Sequence, residues 1–129
     1  MNPLNSILLE GNLTHDPDFK TLPSDNGVCS FSIATNRFYG RGESMEKETS
    51  YFTVEAWNRL GEVCRDTLKK GRGIRVVGRL KQERWTDADG KPRSVVKIVA
   101  EHVEFKPVYT PQPQQGSLEV SEEKETVAQ

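Results

Sequence analysis

Residues 60–68 carry apolar side chains at the period of an α-helix. The stripe, spaced i, i+3, i+4, i+7 and i+8, consists of Leu60, Val63, Cys64, Thr67 and Leu68. We expect Asn58 to cap the start of this helix, Lys69 and Lys70 to lie in its last turn, and Gly71 to follow as the C′ residue. With one helix available, the rest of the fold must be built from strands.

The segments around the helix show the short apolar runs and alternation that are typical of strands. The predicted strands are residues 5–10, 28–37, 49–57, a strand that begins near residue 74, and a final one from about residue 93 to 105, with a loop at 40–48. The order β-β-β-α-β-β fits a five-stranded, partly open Greek-key barrel with the helix between strands 3 and 4. The sequence therefore predicts an all-β fold with one helix, the OB-fold.

Parity along the predicted strands indicates which side chains form the core. Phe31, Phe52 and Phe105 share the parity of aliphatic neighbours, and so does the row on the fourth strand made of Ile74, Val76, Gly78 and Leu80. Both cysteines, Cys29 and Cys64, fall in these segments. We expect them to be buried free thiols, as in a protein of the reducing cytoplasm.

The composition divides the chain after Phe105. With 129 residues, of which 34% are hydrophobic, there is material for one core, and we assign it to an OB-fold domain at residues 1–105. Residues 106–129 contain three prolines, four glutamates and one aromatic residue, so we predict a disordered acidic C-terminal tail.

The net charge of −1 hides a strongly basic segment. Residues 69–97 hold ten basic and three acidic side chains, a local charge of +7, whereas residues 106–129 carry −2. A local field of this kind attracts a polyanion even when the whole chain is nearly neutral. A solvated basic face is the other interpretation of such a run.

Aromatic residues stand beside these cations on strand faces that we expect to be exposed. Tyr51 and Trp57 share the outward parity of one strand, about 20 Å apart, and Trp85 ends the basic face of another. Exposed rings that stack on bases, together with cations that neutralise phosphates, are what single-stranded nucleic acid requires. The predicted binding residues are Arg37, Phe38, Tyr39, Arg41, Tyr51, Trp57, Arg72, Arg75, Arg79, Lys81, Arg84, Trp85, Lys91 and Arg93.

Two alternatives stay open for the rings. Tyr51 and Trp57 can instead face another subunit. Phe38 and Tyr39 flank a point where the strand can bulge, so we expect one of them to stack on a base and the other to pack.

Nothing in the sequence favours an enzyme. His15 and His102 stand at no metal-binding spacing from the cysteines, so we predict no metal and no cofactor. Ser44 to Lys47 matches an S-x-x-K pattern, but it lies in a polar loop without partner motifs. There is no apolar run of membrane-spanning length and no secretory signal, so we expect a cytoplasmic, nucleoid-associated protein.

Several short motifs, in this order and spacing, resemble the bacterial single-stranded DNA-binding proteins over residues 4–105. They are Gly11-Asn12-Leu13, Phe31-Ser32-Ile33-Ala34-Thr35-Asn36, Thr49-Ser50-Tyr51-Phe52, Leu60-Gly61-Glu62-Val63, Lys69-Lys70-Gly71, Val76-Val77-Gly78-Arg79-Leu80 and Arg84-Trp85-Thr86-Asp87. The resemblance implies sequence-independent binding and protection of single-stranded DNA in replication, recombination and repair. An auxiliary OB-fold module of the primosome type, or one that binds RNA, is the alternative.

The resemblance also implies partners and residue roles. By position, the base-stacking aromatics of the family fall on Tyr39, Tyr51, Trp57 and Trp85. Tyr39 stands where the family usually has Trp, and Phe38 beside it can take that role. The family assembles as a homotetramer by joining first strands edge to edge, and it recruits replication and repair proteins through an acidic tip with a terminal Phe. The last residues here, Ser121 to Gln129, contain no Pro-Phe.

Overall fold

The computed structural model describes residues 2–108. They form six strands, one α-helix and one short 3-10 turn. In chain order these are β1 (Ile7–Leu13), β2 (Asp18–Thr21), β3 (Gly27–Tyr39), the 3-10 turn (Gly42–Ser44), β4 (Glu46–Trp57), α1 (Asn58–Thr67), β5 (Gly73–Thr86) and β6 (Pro92–Phe105). Lys106, Pro107 and Val108 follow β6, and the predicted tail beyond them lies outside the described residues.

Five of the strands close a barrel. The order β1-β5-β6-β4-β3 returns to β1 through the pairs Asn12↔Ala34 and Leu13↔Ile33. The barrel pairs are antiparallel except that of β4 with β6, which meet in parallel at Val54↔Ile98 and Glu55↔Val99. The short β2 pairs with β3 beside the barrel. The predicted OB-fold is confirmed, with its helix between β4 and β5, the third and fourth barrel strands.

The core lies where the inward rows of the five strands meet the helix. Ile33, Val54, Ile74, Val76 and Ile98 are fully buried, because each stands at an inward position of its strand. The helix covers one end of the barrel and contributes Cys64 to the core, and Leu68 directly after it is buried there too. Gly61 permits this approach, since a Cβ there would lie 2.4 Å from the carbonyl oxygen of Ala56.

The two cysteines are buried and form no disulfide, as predicted. Burial raises the pKa of the Cys29 thiol to about 11 and that of Cys64 to about 12. Both thiols therefore stay protonated at neutral pH and behave as small apolar side chains.

The ends of the helix differ from the prediction. Trp57, not Asn58, is the N-cap, and Asn58 adopts a left-handed φ of 57° where the chain turns from β4 into the helix. The helix ends at Thr67, and the amide of Leu68 donates to the carbonyl of Cys64 at 2.9 Å. Lys69 and Lys70 lie beyond the helix, because Leu68 is the C-cap and its backbone is already extended, with φ −86° and ψ 146°.

Two predicted core positions are wrong. Phe52 is 38% exposed and Leu80 is 45% exposed, although both keep the inward parity of buried neighbours. Each lies one step beyond the last buried residue of the inward row on its strand. Parity therefore predicts the side to which the side chain points, but not where the buried row ends. Phe31 is buried as predicted, and Phe105 is partly buried against the core.

Candidate nucleic-acid interface

Two long hairpins extend from the end of the barrel opposite the helix. We call residues 36–49 of β3 and β4 the first arm, and residues 82–96 of β5 and β6 the second arm. Because β4 and β6 run parallel where they meet at residues 54–55 and 98–99, the residues that precede these positions project from the same end of the barrel. The described β4–β6 pairs are confined to these positions, so the arms separate above them.

The first arm is longer than the sequence suggested. Residues 46–48 were predicted to be loop, yet they pair with residues 37–39 as a continuation of the hairpin. The pairing register runs without a shift from Val28↔Trp57 to Tyr39↔Glu46, so there is no bulge within it. Both faces of the arm are exposed to solvent, and the sequence consequently lacks the apolar alternation that reveals a half-buried strand.

Tyr51 and Trp57 share the outer face of β4, as predicted. The Tyr51 side chain is 66% exposed, and Trp57 is partly buried beside its cross-strand neighbour Val28. A ring held at the surface of a strand keeps one face available for a planar ligand. Tyr51 is therefore freely accessible at this surface, and Trp57 is accessible in part.

Phe38 and Tyr39 are both exposed, at 63% and 44%, so neither packs into the core. The expectation that one of them packs is wrong. The two side chains point to opposite faces of the first arm because they are consecutive in one strand. The Tyr39 hydroxyl donates to Glu46 Oε1 at 3.2 Å on its own face.

Trp85 lies on the second arm, half-exposed and opposite Arg93. A shallow cavity of about 400 Å³ surrounds it, lined by Arg84, Trp85, Thr86, Pro92, Arg93 and Ser94. An indole and guanidinium groups are the groups that base stacking and phosphate binding require.

Several predicted cations are already paired with carboxylates. Arg75 bonds Glu10 at 2.6 Å and Glu104 at 3.4 Å. The other ion pairs of this kind are Arg79 with Glu101 at 3.8 Å, Lys81 with Glu83 at 3.6 Å and Arg93 with Asp87 at 2.8 Å. Each pair offsets the charge that its cation would otherwise present to a phosphate. The +7 of this segment therefore overstates the field near the paired residues.

Other cations stand without a salt bridge among the described residues, and those on the arms form a group. The predicted members are Arg37, Arg41, Arg84 and Lys91. Lys47 belongs with them and was missed, because its segment was interpreted as a loop. The sequence carries no signal for it, because the pairing of Lys47 with Phe38 is visible only in the structure. The structure thus brings together unpaired cations and exposed rings on the two arms.

Arg72 and Arg75 lie at the other end of the barrel. Arg72 precedes β5, where its Nε donates to the Lys106 carbonyl at 2.8 Å and its guanidinium lies over Phe105. A cavity of about 760 Å³ opens beside it, and its lining includes Lys69, Lys70 and Lys106. The structure does not bring these cations together with those of the arms.

A charged triad occupies the outer surface between the arms. Lys97 Nζ lies 3.1 Å from Glu55 and 2.9 Å from Glu83, and only 8% of Glu55 is exposed. The hydrogen bond from Lys97 lowers the pKa of Glu83, and these two carboxylates raise the pKa of Lys97. Glu55 Oε1 accepts no hydrogen bond from the described residues. Glu55 and Glu83 therefore offset the charge of Lys97, and little of that charge is available to an anion in solution.

Within residues 2–108, no three His, Cys, Asp or Glu side chains are arranged to hold a metal ion. Over the same residues, α1 is too short and too polar to cross a bilayer.

Comparison with known proteins gives the chain its relatives. It is 40% identical over 107 residues to single-stranded DNA-binding protein 2 of Chlorobaculum tepidum, which covers 81% of this chain and 72% of that protein. It is 36% identical over 105 residues to the single-stranded DNA-binding protein of Treponema pallidum, covering 81% of this chain and 59% of that one.

Among solved structures, the fold is similar to a Plasmodium falciparum SSB complex with ssDNA, with a TM-score of 0.74 and 25% identity. That match covers 81% of this chain and 97% of the other. Residues 4–106 match the model of the single-strand binding protein family, and the chain belongs to that family.

Proposed function

We propose that this protein binds and protects single-stranded DNA without reading its sequence, and that it does so without catalysis. The observation that carries the proposal is the coincidence of exposed rings with unpaired cations on the arms and on β4. Relatives named single-stranded DNA-binding proteins and the similarity to an SSB–ssDNA complex support it.

The proposed mechanism has two physical parts. Tyr39, Tyr51, Trp57 and Trp85 stack on bases, each for about 1–3 kcal/mol, and every base presents a face that can stack. The unpaired cations of the arms, Arg37, Arg41, Arg84 and Lys91, neutralise phosphates and release counterions. Duplex DNA hides its base faces inside the helix, so only the single strand receives the stacking contribution.

We further propose that protomers assemble through β1, in support of a homotetramer. Residues 7–12 of β1 pair with β5 on one edge, and only residues 12–13 pair with β3 on the other, within the described part of the chain. The open edge beside the exposed Leu8 can accept the same strand of a second copy, which removes an aggregation-prone edge. Native mass with and without a long oligonucleotide tests this assembly: a protomer mass in both samples would contradict it.

Affinity for oligo(dT), for a duplex of equal length and for poly(U) tests the function. We expect oligo(dT) to bind most tightly, since its bases are accessible. Equal affinity for duplex and single strand would leave only the electrostatic contribution and contradict base stacking. Tighter binding to poly(U) would favour the alternative of an RNA-binding module, in which the 2′-hydroxyl contributes. A protein partner that is retained after nuclease treatment, with weak DNA binding, would favour the primosome-type alternative.

A further inference from the structure

The first arm has two faces that differ in charge. Because its register is unbroken, residues that pair across the strands lie on the same face. Phe38 pairs with Lys47, and the same face carries Tyr51 further along β4. On the opposite face, Tyr39 and Glu46 are direct neighbours in the strand register, and so are Arg37 and Glu48. One face thus has a cation beside its ring, and the other has two carboxylates and one cation.

The Phe38 face continues the aromatic row of β4. Phe38 stands four residues along β3 from Ala34, the direct partner of Tyr51, which places it about 13 Å from Tyr51. Tyr51 and Trp57 are about 20 Å apart along β4. The three rings therefore follow one surface from the tip of the arm to the start of the helix. Phe38 is 63% exposed. Within the described residues, no carboxylate forms a salt bridge with Lys47.

The Tyr39 face is less favourable for a polyanion. Its hydroxyl donates to Glu46 Oε1 at 3.2 Å, which holds a carboxylate next to the ring. A phosphate that approaches this face meets two glutamates against one arginine. A phosphate on the Phe38 face meets Lys47 and no acid of the paired arm residues.

We propose that Phe38 and Lys47 together form an additional DNA-binding position on the Tyr51 face of the first arm. The inference rests on the proposed function and adds a phosphate contact, Lys47, that the predicted site did not contain. Phe38 stacks on a base beyond Tyr51, and Lys47 neutralises the phosphate next to that base. Tyr39, on the other face, stacks on a different base.

Oligo(dT) affinity over a range of salt concentrations tests the position, with Phe38→Ala, Lys47→Ala, Tyr39→Ala and the paired double variants. We expect Phe38→Ala to weaken binding by about 5- to 150-fold. Lys47→Ala should reduce the salt slope by about 0.7, the contribution of one phosphate on a single strand. Lys20→Ala is the matched control, because Lys20 is an exposed strand lysine on β2, away from both arms.

The double variants decide whether the two residues act at one position. Phe38→Ala and Lys47→Ala should be coupled by more than about twofold, whereas Tyr39→Ala and Lys47→Ala should be additive. If wild-type protein binds oligo(dT) and neither Phe38→Ala nor Lys47→Ala changes affinity or slope, this position is wrong while the proposed function stands. Additive effects of Phe38 and Lys47 would also overturn a shared position. If wild-type protein does not bind oligo(dT), both proposals fall.

Discussion

At the scale of single residues, exposure is what separates the binding candidates from the core aromatics. Parity alone placed Tyr51 and Trp57 on the outer face, because they alternate with the buried Val54 and Ala56. Parity gave the inward side for Phe52 but not its exposure, since the period of a strand does not show where a barrel ends. The salt bridges of the cations could not be predicted from the sequence either, because the carboxylates that bind Arg75 come from two other strands, β1 and β6.

Trp85→Ala should weaken oligo(dT) binding by about 1–3 kcal/mol with little change in stability. The indole is half-exposed and supplies stacking area without filling the core. Equilibrium titration beside a thermal melt measures both quantities. Trp85→Phe is the control, since it keeps a ring at the same place and should retain most of the affinity. A folded Trp85→Ala protein with wild-type affinity would remove this residue from the site.

At the scale of elements, the helix and five barrel strands could be recognised from the sequence, but their ends could not. The apolar stripe of α1 has a clear period, whereas its cap depends on a left-handed turn at Asn58. The short β2 was missed, because its four residues have no apolar alternation. In β6 the register shifts near Glu101, so inward parity passes from Ala100 to Val103, which a strict period of two does not predict.

Gly61→Ala should lower the free energy of unfolding by about 1–3 kcal/mol. The added Cβ would lie 2.4 Å from the Ala56 carbonyl oxygen and 3.3 Å from the Cys29 amide nitrogen, so the helix must move away from β3 and β4. Urea denaturation measures the loss. Glu62→Ala, at the next helix position and less buried, is the control and should change stability little. Equal stability of Gly61→Ala and wild type would show that the helix is not tightly seated.

Lys97→Met should destabilise the barrel by roughly 3 kcal/mol, because it leaves Glu55 buried without its cation. The triad lies next to the two residue pairs that join β4 to β6, so the loss falls on barrel closure. Denaturant titration of this variant gives the cost. Adding Glu55→Gln to Lys97→Met should recover part of the lost stability, and a double variant no more stable than the single one would show that the buried charge is not the cause.

At the scale of the whole molecule, the fold and the class of ligand were accessible from the sequence, whereas the distribution of usable charge was not. The basic segment at residues 69–97 was recognised, yet Lys97 serves the barrel wall and Arg75 is held by two glutamates. Conversely, Lys47 sits in a stretch with three nearby acids and had no basic signature. Which charges face a ligand depends on strand pairing between distant segments.

Stability should fall as the pH drops from about 5 towards 3. Hydrogen bonds from Arg75 and Lys106 lower the pKa of Glu10 from 4.5, and one from Lys97 does the same for Glu83. The backbone amide of Lys91, followed by the Arg93 side chain, lowers the pKa of Asp87 from 3.8. The unfolded chain therefore binds these protons first, and protonation favours unfolding.

Urea midpoints across this pH range measure the effect. The triple variant Glu10→Gln, Glu83→Gln, Asp87→Asn should show a flatter profile. A wild-type midpoint that stays constant or rises as the pH falls would contradict the assigned partners of these carboxylates.

The central claim, that rings on the arms and β4 stack on unpaired bases among phosphate-binding cations, is tested most directly by intrinsic tryptophan fluorescence. Trp57 and Trp85 are the two tryptophans of the chain, and both belong to the proposed site. Titration with oligo(dT) should quench this fluorescence, and rising salt should weaken the binding by about 0.7 log units per tenfold in salt for each phosphate neutralised. Saturable binding that leaves the emission of both tryptophans unchanged would contradict the claim.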